Sequence, residues 1–214
     1  LKVMHKTTTP SSPTPYGTVD ENFVQKLRQN LAQDRVFWKH DQTQESKDEI
    51  SDASKDHSNH EASEPDVVVY PLTVEEARFT VELCSKNKIV ITPRGSGLGL
   101  EGGTIPYNGG VVICTMKMKH FELHEDDFLV SAGPGWRKSQ LNDKLEEYGF
   151  VFGVDPASNP SVGGMASTGA SGMSTYMYGT TRQNIQALKV ITAEGKIIDT
   201  RKKVRKSSAG FDLT

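Results

Sequence analysis

Two glycine-rich segments, residues 93–103 (PRGSGLGLEGG) and 159–172 (NPSVGGMASTGASG), constrain this chain more than any other feature. Glycine loses more backbone freedom on folding than any other residue. A sequence therefore concentrates it where φ must be positive or where the backbone must approach something closely. Backbone N–H groups turned toward an anion meet both conditions. In the second segment Ser161, Ser167, Thr168 and Ser171 stand among Gly163, Gly164, Gly169 and Gly172, adding small hydroxyl donors that suit a phosphate. Two such segments in 214 residues predict the two halves of one site, for a ligand with two phosphates and hence a dinucleotide.

Taken alone, the first segment also admits a reading as a glycine-rich hairpin connection with no ligand, because turns collect glycine for conformational reasons. Its Gly95, Gly97 and Gly102 follow a strand and invite a nicotinamide-binding reading, but that fingerprint requires the loop to open a helix. Gly102, Gly103, Pro106, Gly109 and Gly110 break any helix there. No Gly-Lys-Ser/Thr follows, which excludes a Walker A loop.

The fold class read from the order of elements is α+β. Thr18 with Glu21 fits a capping box before Phe23, Leu27 and Leu31 at helical spacing. Residues 66–70 (DVVVY) have the β-branched run of a buried strand. Thr73 with Glu76 starts a helix whose inner face is Val74, Ala77, Val81 and Cys84. Residues 89–92, 111–115 and 128–132 read as further strands, 136–148 as a helix ending at Gly149, and 188–192 with 196–199 as a hairpin across Glu194-Gly195. The first fifteen residues, rich in Thr, Ser and Pro, read as disordered. Residues 41–64 hold eight acidic residues against Lys47 and Lys55, a net −6, and read as a solvated linker. The expected division is 1–64, a lead with a short helix and an acidic linker, and 65–214, the binding domain.

A net charge of −2 and pI near 6.3 give no reason to expect nucleic acid as a partner, and no apolar run approaches the roughly 20 residues of a transmembrane helix. Cys84 and Cys114 read as core thiols. His57 and His60 have tolerable metal-ligand spacing but lie in the acidic stretch, where solvated histidines are commoner, and His120 and His124 fall on a strand. Residues 201–206 (RKKVRK) read as a solvated loop before a helix, and Trp38 and Trp136 as packing residues. Nothing has the spacing of a Ser-His-Asp or Cys-His hydrolase site.

The strings PDVVVYPLTVEEA, PRGSGLGLEGG, VSAGPG, VDPASNPSVGGMASTGASG, YGTTRQN and KSSAGFDLT together resemble the FAD-binding domain of the vanillyl-alcohol oxidase and p-cresol methylhydroxylase (PCMH) superfamily, from residue 65 to 214. Within it they are most similar to the mitochondrial D-lactate dehydrogenase and glycolate oxidase branch. Glu101 favours the D-lactate dehydrogenases over the glycolate oxidases, which usually carry serine there.

The resemblance implies a two-subdomain α+β domain, C-terminally incomplete, with FAD between the halves. Arg94, Gly95, Ser96, Gly97 and Leu98 would wrap the pyrophosphate. Pro156, Ser161, Gly163, Gly164, Thr168, Gly169, Ser171 and Gly172 would line the other side, with Tyr178 and Gly179 beyond, and Val190 or Ile191 would meet the adenine. No histidine or cysteine occupies the first loop, so the FAD is expected to be noncovalent. Met177 stands where the branch commonly has a basic residue. The family's cap domain would follow Thr214, bringing a divalent metal site and the groups that hold the substrate carboxylate; no catalytic or metal residue is assigned within this chain. The implied partners are a small 2-hydroxyacid substrate and an acceptor such as cytochrome c, with a mitochondrial location although no targeting peptide is visible. The competing expectations are another FAD oxidoreductase of this superfamily, of the glycolate or D-2-hydroxyglutarate type, and a catalytically silent flavin-binding protein.

Overall fold

A computed structural model describes residues 16–214 apart from 203, 205 and 207. The Ser/Thr/Pro-rich opening, and Lys203 and Arg205 of the basic run, lie outside the described residues. The first helix, α1 (Glu21–Leu31), is capped by Asp20, whose carboxylate accepts from the Phe23 N–H at 2.8 Å. The expected Thr18 cap is thus corrected by two positions; an aspartate caps as well as a threonine, and the helix starts where the apolar stripe Phe23, Val24, Leu27 and Leu31 begins to be buried.

A short strand β1 (Val36–Trp38) follows, then α2 (Gln44–Ala53), β2 (Val67–Val69), α3 (Val74–Lys86), β3 (Ile91–Arg94) and β4 (Val111–Cys114). The strands form one sheet in the order β1-β2-β4-β3, with β1 antiparallel to β2 and the other pairs parallel. Both faces are covered. Val67, Val69, Val111 and Ile113 pack with α1 and Cys84 of α3, while Val68, Val112 and Cys114 pack with Phe37 and with Ile50 and Ala53 of α2. A strand buried on both sides has no polar alternation, which is why residues 67–69 are three valines.

The acidic stretch read as a linker is therefore in large part a helix docked on the sheet. Only Ser46, Ile50 and Ala53 of α2 turn inward; seven of its ten residues face outward, and that majority set the composition. Thr43 caps it, accepting from the Ser46 N–H at 3.2 Å.

Arg35, at the entry to β1, clamps the lead to α3. Its guanidinium donates to both Glu76 carboxylate oxygens at 2.5 and 2.9 Å and to the Tyr70 carbonyl at 3.2 Å. These hydrogen bonds hold the Glu76 carboxyl below its ordinary value of 4.5. A carboxyl depressed in the folded state stabilises fully above its ordinary value, and the contribution is lost as pH falls through the depressed one. Glu76→Gln is expected to lower the melting temperature at pH 7 by roughly 3–10 °C. The gap between variant and parent should shrink steadily below pH 4.5; a gap independent of pH would show that the ion pair is not the cause.

Beyond the sheet come the hairpin β5 (Phe121–His124) and β6 (Leu129–Ala132), then α4 (Lys138–Glu146), α5 (Val162–Thr168), α6 (Thr175–Tyr178), α7 (Thr181–Asn184) and the hairpin β7 (Lys189–Ile191) with β8 (Ile197–Asp199). Helix α4 is shorter than the expected 136–148 because Trp136 is used elsewhere: its ring packs edge-on against Phe121 and its indole N–H donates to the His120 carbonyl at 2.8 Å. No helix follows β8 among the described residues. No helix among them is long and apolar enough to cross a membrane.

Candidate functional site

Strand β3 delivers the first glycine segment at its C-terminal end, and the second begins 66 residues after the first does. The two meet at one seam. The Ser161 N–H donates to Ser96 Oγ at 3.1 Å, and the Ser96 N–H donates back to Ser161 Oγ at 3.3 Å. Ser161 is completely buried. Its hydroxyl also accepts from the Gly164 N–H at 3.3 Å, capping α5. Gly95 faces that hydroxyl so closely that a Cβ on it would lie 2.1 Å from Ser161 Oγ. The expectation that the glycine segments form two sides of one place thus has a geometric counterpart.

Gly97 sits at φ +69°, and the N–H groups of Gly97 and Leu98 find no acceptor among the described residues. Unpaired loop amides beside a left-handed glycine form the kind of concavity that accepts an anion. The second segment behaves differently from the open loop expected of it. Much of it is α5, in which Ser167 and Thr168 donate to the Gly163 and Gly164 carbonyls, both at 2.9 Å. The Gly163 N–H donates to the Pro134 carbonyl at 3.0 Å. Hydroxyls back-bonded to their own helix are less available to a phosphate than composition suggested.

Further along, Gly172 lies tight against the Asp155 carbonyl, and the Pro156 carbonyl accepts from Lys138 Nζ at 3.3 Å, which is also paired with Asp155 at 2.5 Å. Ser171 is exposed. The Tyr178 ring covers Gly153, Gly179 is held at φ +80° beside Gln183, and Met177 is 76% exposed. Thr181 ties α7 to this segment by donating to the Ala170 carbonyl at 2.7 Å. Val190 and Ile191 are not part of the seam; they lie on β7, whose hairpin turn Gly195 packs on Glu82 of α3. A cleft of about 240 Å³ lies beside the C-terminal end of α5, lined by Ala166, Ser167, Gly169, Arg182, Ile185 and Leu188 together with Thr214. A larger cleft of about 530 Å³ is lined by Glu45, Asp48, Glu49, Asp52 and Tyr70, and four carboxylates make it unfit for a phosphate.

Arg94 departs most from expectation. Its side chain is only 7% exposed and turns away from the seam. It donates to the Asp52 carbonyl at 2.9 Å, the Lys55 carbonyl at 2.8 Å and Thr104 Oγ1 at 3.3 Å. It is committed to the end of α2 and is not open to a pyrophosphate. Residues 55–60, which the sequence places in the acidic stretch, lie against the first glycine segment. The His57 N–H donates to the Gly99 carbonyl at 3.0 Å, and the His60 ring lies beside Gly102. The only signal was local, a short polar run after a weakly apolar helix.

Residues 65–201 match a family described as the FAD binding domain. The chain belongs to that family. It is 41% identical over 164 residues to a probable mitochondrial D-lactate dehydrogenase of Danio rerio, covering 75% of this chain and 33% of that protein. It is 42% identical over 151 residues to the mitochondrial D-lactate dehydrogenase [cytochrome] of Arabidopsis thaliana, covering 70% and 27%. The chain thus spans a third or less of these relatives. Among solved structures it superposes on an alkyldihydroxyacetonephosphate synthase with a TM-score of 0.79 at 22% identity, over 92% of this chain and 40% of that one. The fold is the α+β FAD-binding domain of the vanillyl-alcohol oxidase type, and the glycine-lined seam with its unpaired Gly97 and Leu98 amides fits the phosphates of that cofactor.

Proposed function

We propose that this chain is the FAD-binding part of a flavin-dependent D-2-hydroxyacid dehydrogenase that converts D-lactate to pyruvate and passes electrons to cytochrome c or a similar acceptor. The observation that carries this reading is the seam at Ser96 and Ser161, built from segments that match the FAD-binding family. The names of the D-lactate dehydrogenase relatives favour the substrate, and the Arabidopsis protein's name the acceptor.

In this reading the backbone amides of Gly97 and Leu98 hold one phosphate. Gly163, Gly164, Thr168, Gly169 and Gly172 shape the opposite wall, and Pro156, Ser171, Tyr178, Gly179, Val190 and Ile191 contact the rest of the cofactor. FAD supplies the redox chemistry, and the protein's part is to hold and orient it. A divalent metal and the groups for the substrate carboxylate belong to the region of the relatives that this chain does not span. The location is mitochondrial, as in both named relatives.

The first loop holds no histidine or cysteine, so the flavin is bound noncovalently. Acid precipitation of the purified protein should leave a yellow chromophore in the supernatant. A flavin that stays with the pellet would refute noncovalent binding, and His60, beside Gly102, would be the first residue to map for an attachment.

A further inference from the structure

Residues 52–60 run alongside the first glycine loop for its whole length. Arg94 reaches the Asp52 and Lys55 carbonyls at the C-terminal end of α2, the His57 N–H reaches the Gly99 carbonyl, and His60 lies beside Gly102. The final carbonyls of a helix lack intrahelical partners and carry partial negative charge, so they suit a buried guanidinium. The loop in turn rests on that guanidinium: a Cβ on Gly97 would lie 2.3 Å from Arg94 Nη2.

We infer that Arg94 is a positioning residue, which fixes the shape of loop 95–98 through α2 and does not itself touch the cofactor. Segment 41–64 is then a working wall of the site. The fork geometry matters as much as the charge: a planar guanidinium spans two carbonyls and a hydroxyl at once, and an ammonium does not. The inference rests on the FAD reading given above, and the experiment separates the two.

FAD affinity is measured by flavin fluorescence on the 214-residue chain, at a temperature where circular dichroism shows each protein folded. The set is the parent, Arg94→Lys, Ile50→Ala, the Arg94→Lys/Ile50→Ala double variant, and Arg35→Lys. Ile50 is 4% exposed and seats α2 on the sheet, and it is not among the proposed cofactor contacts. Arg35 is a largely buried guanidinium, its side chain 12% exposed, in an ion pair with Glu76 that does not reach the loop.

Arg94→Lys should weaken FAD about tenfold and Ile50→Ala several-fold, and the double variant should be no worse than the stronger single, because both act on one support. Arg35→Lys should bind as the parent does. If Ile50→Ala binds FAD like the parent while Arg94→Lys does not, or if the two effects multiply, Arg94 acts by direct contact and the inference fails. Equal losses in Arg35→Lys and Arg94→Lys would also overturn it, as general destabilisation. A parent that binds no FAD would refute the cofactor reading itself, and the inference with it.

Discussion

Gly95→Val is expected to abolish FAD retention while the four-stranded sheet stays folded. The physical cause is local and severe. A Cβ at this position would lie 2.1 Å from Ser161 Oγ and 3.3 Å from Ser161 Cβ, and Ser161 has nowhere to move, being fully buried and bonded to Ser96 and Gly164. The valine must push the two glycine segments apart, which breaks both hydrogen bonds of the seam and displaces the Gly97 and Leu98 amides. A loss of more than about 100-fold in FAD affinity is expected, since each 1.4 kcal/mol or so is tenfold and two hydrogen bonds plus the loop geometry are forfeited.

Gly103→Ala is the matched control. It lies in the same segment, but its Cβ would meet nothing within 4 Å, so FAD binding should be unchanged. Gly164→Ala should fall between them, with its Cβ 3.0 Å from the Ser161 hydroxyl and nothing else close. Parent-like FAD titration by Gly95→Val would mean that the seam is not the phosphate site.

The second large effect concerns turnover. Loaded with FAD, the 214-residue chain should oxidise D-lactate at least about a thousandfold more slowly than the full-length relative from Danio rerio assayed with the same dye. Holding a substrate carbon in line with a reacting atom contributes about 7–11 kcal/mol of a barrier. Losing half of that costs roughly three to four powers of ten. This chain spans 33% of that relative, and the groups that would hold the carboxylate are proposed to lie in the remainder. The surface beside the second glycine segment is also open, with Met173, Tyr176 and Met177 at 85%, 104% and 76% exposure. Such a face neither excludes water nor orients a small anion. Comparable rates from the two proteins would place the substrate groups inside these 214 residues.

Much of this fold is legible in the sequence. The valine run at 67–69 reports a strand covered on both faces, because a half-exposed strand would alternate. Thr73 and Glu76 mark the start of α3 where the threonine does accept the Glu76 N–H, at 3.1 Å. Glu194-Gly195 marks the hairpin, since Gly195 takes φ +81°. The two glycine segments announce close backbone approach, and Gly95 against Ser161 is such an approach. These features are local: the residue type answers to its own φ, its own cap or its own strand face, so sequence alone determines them.

Other features depend on what fills the space around a residue, and only the tertiary structure decided those. Three inward residues in ten were too few to distinguish α2 from a solvated linker until the second face of the sheet was there to receive them. That Ser96 and Ser161 bond to each other, 65 positions apart, is not written in the local sequence of either. Arg94 follows a strand and precedes a phosphate-type loop, so by sequence it points to the ligand. It turns the other way because a buried guanidinium goes where acceptors are fixed and water is excluded, and the carbonyls ending α2 supply both.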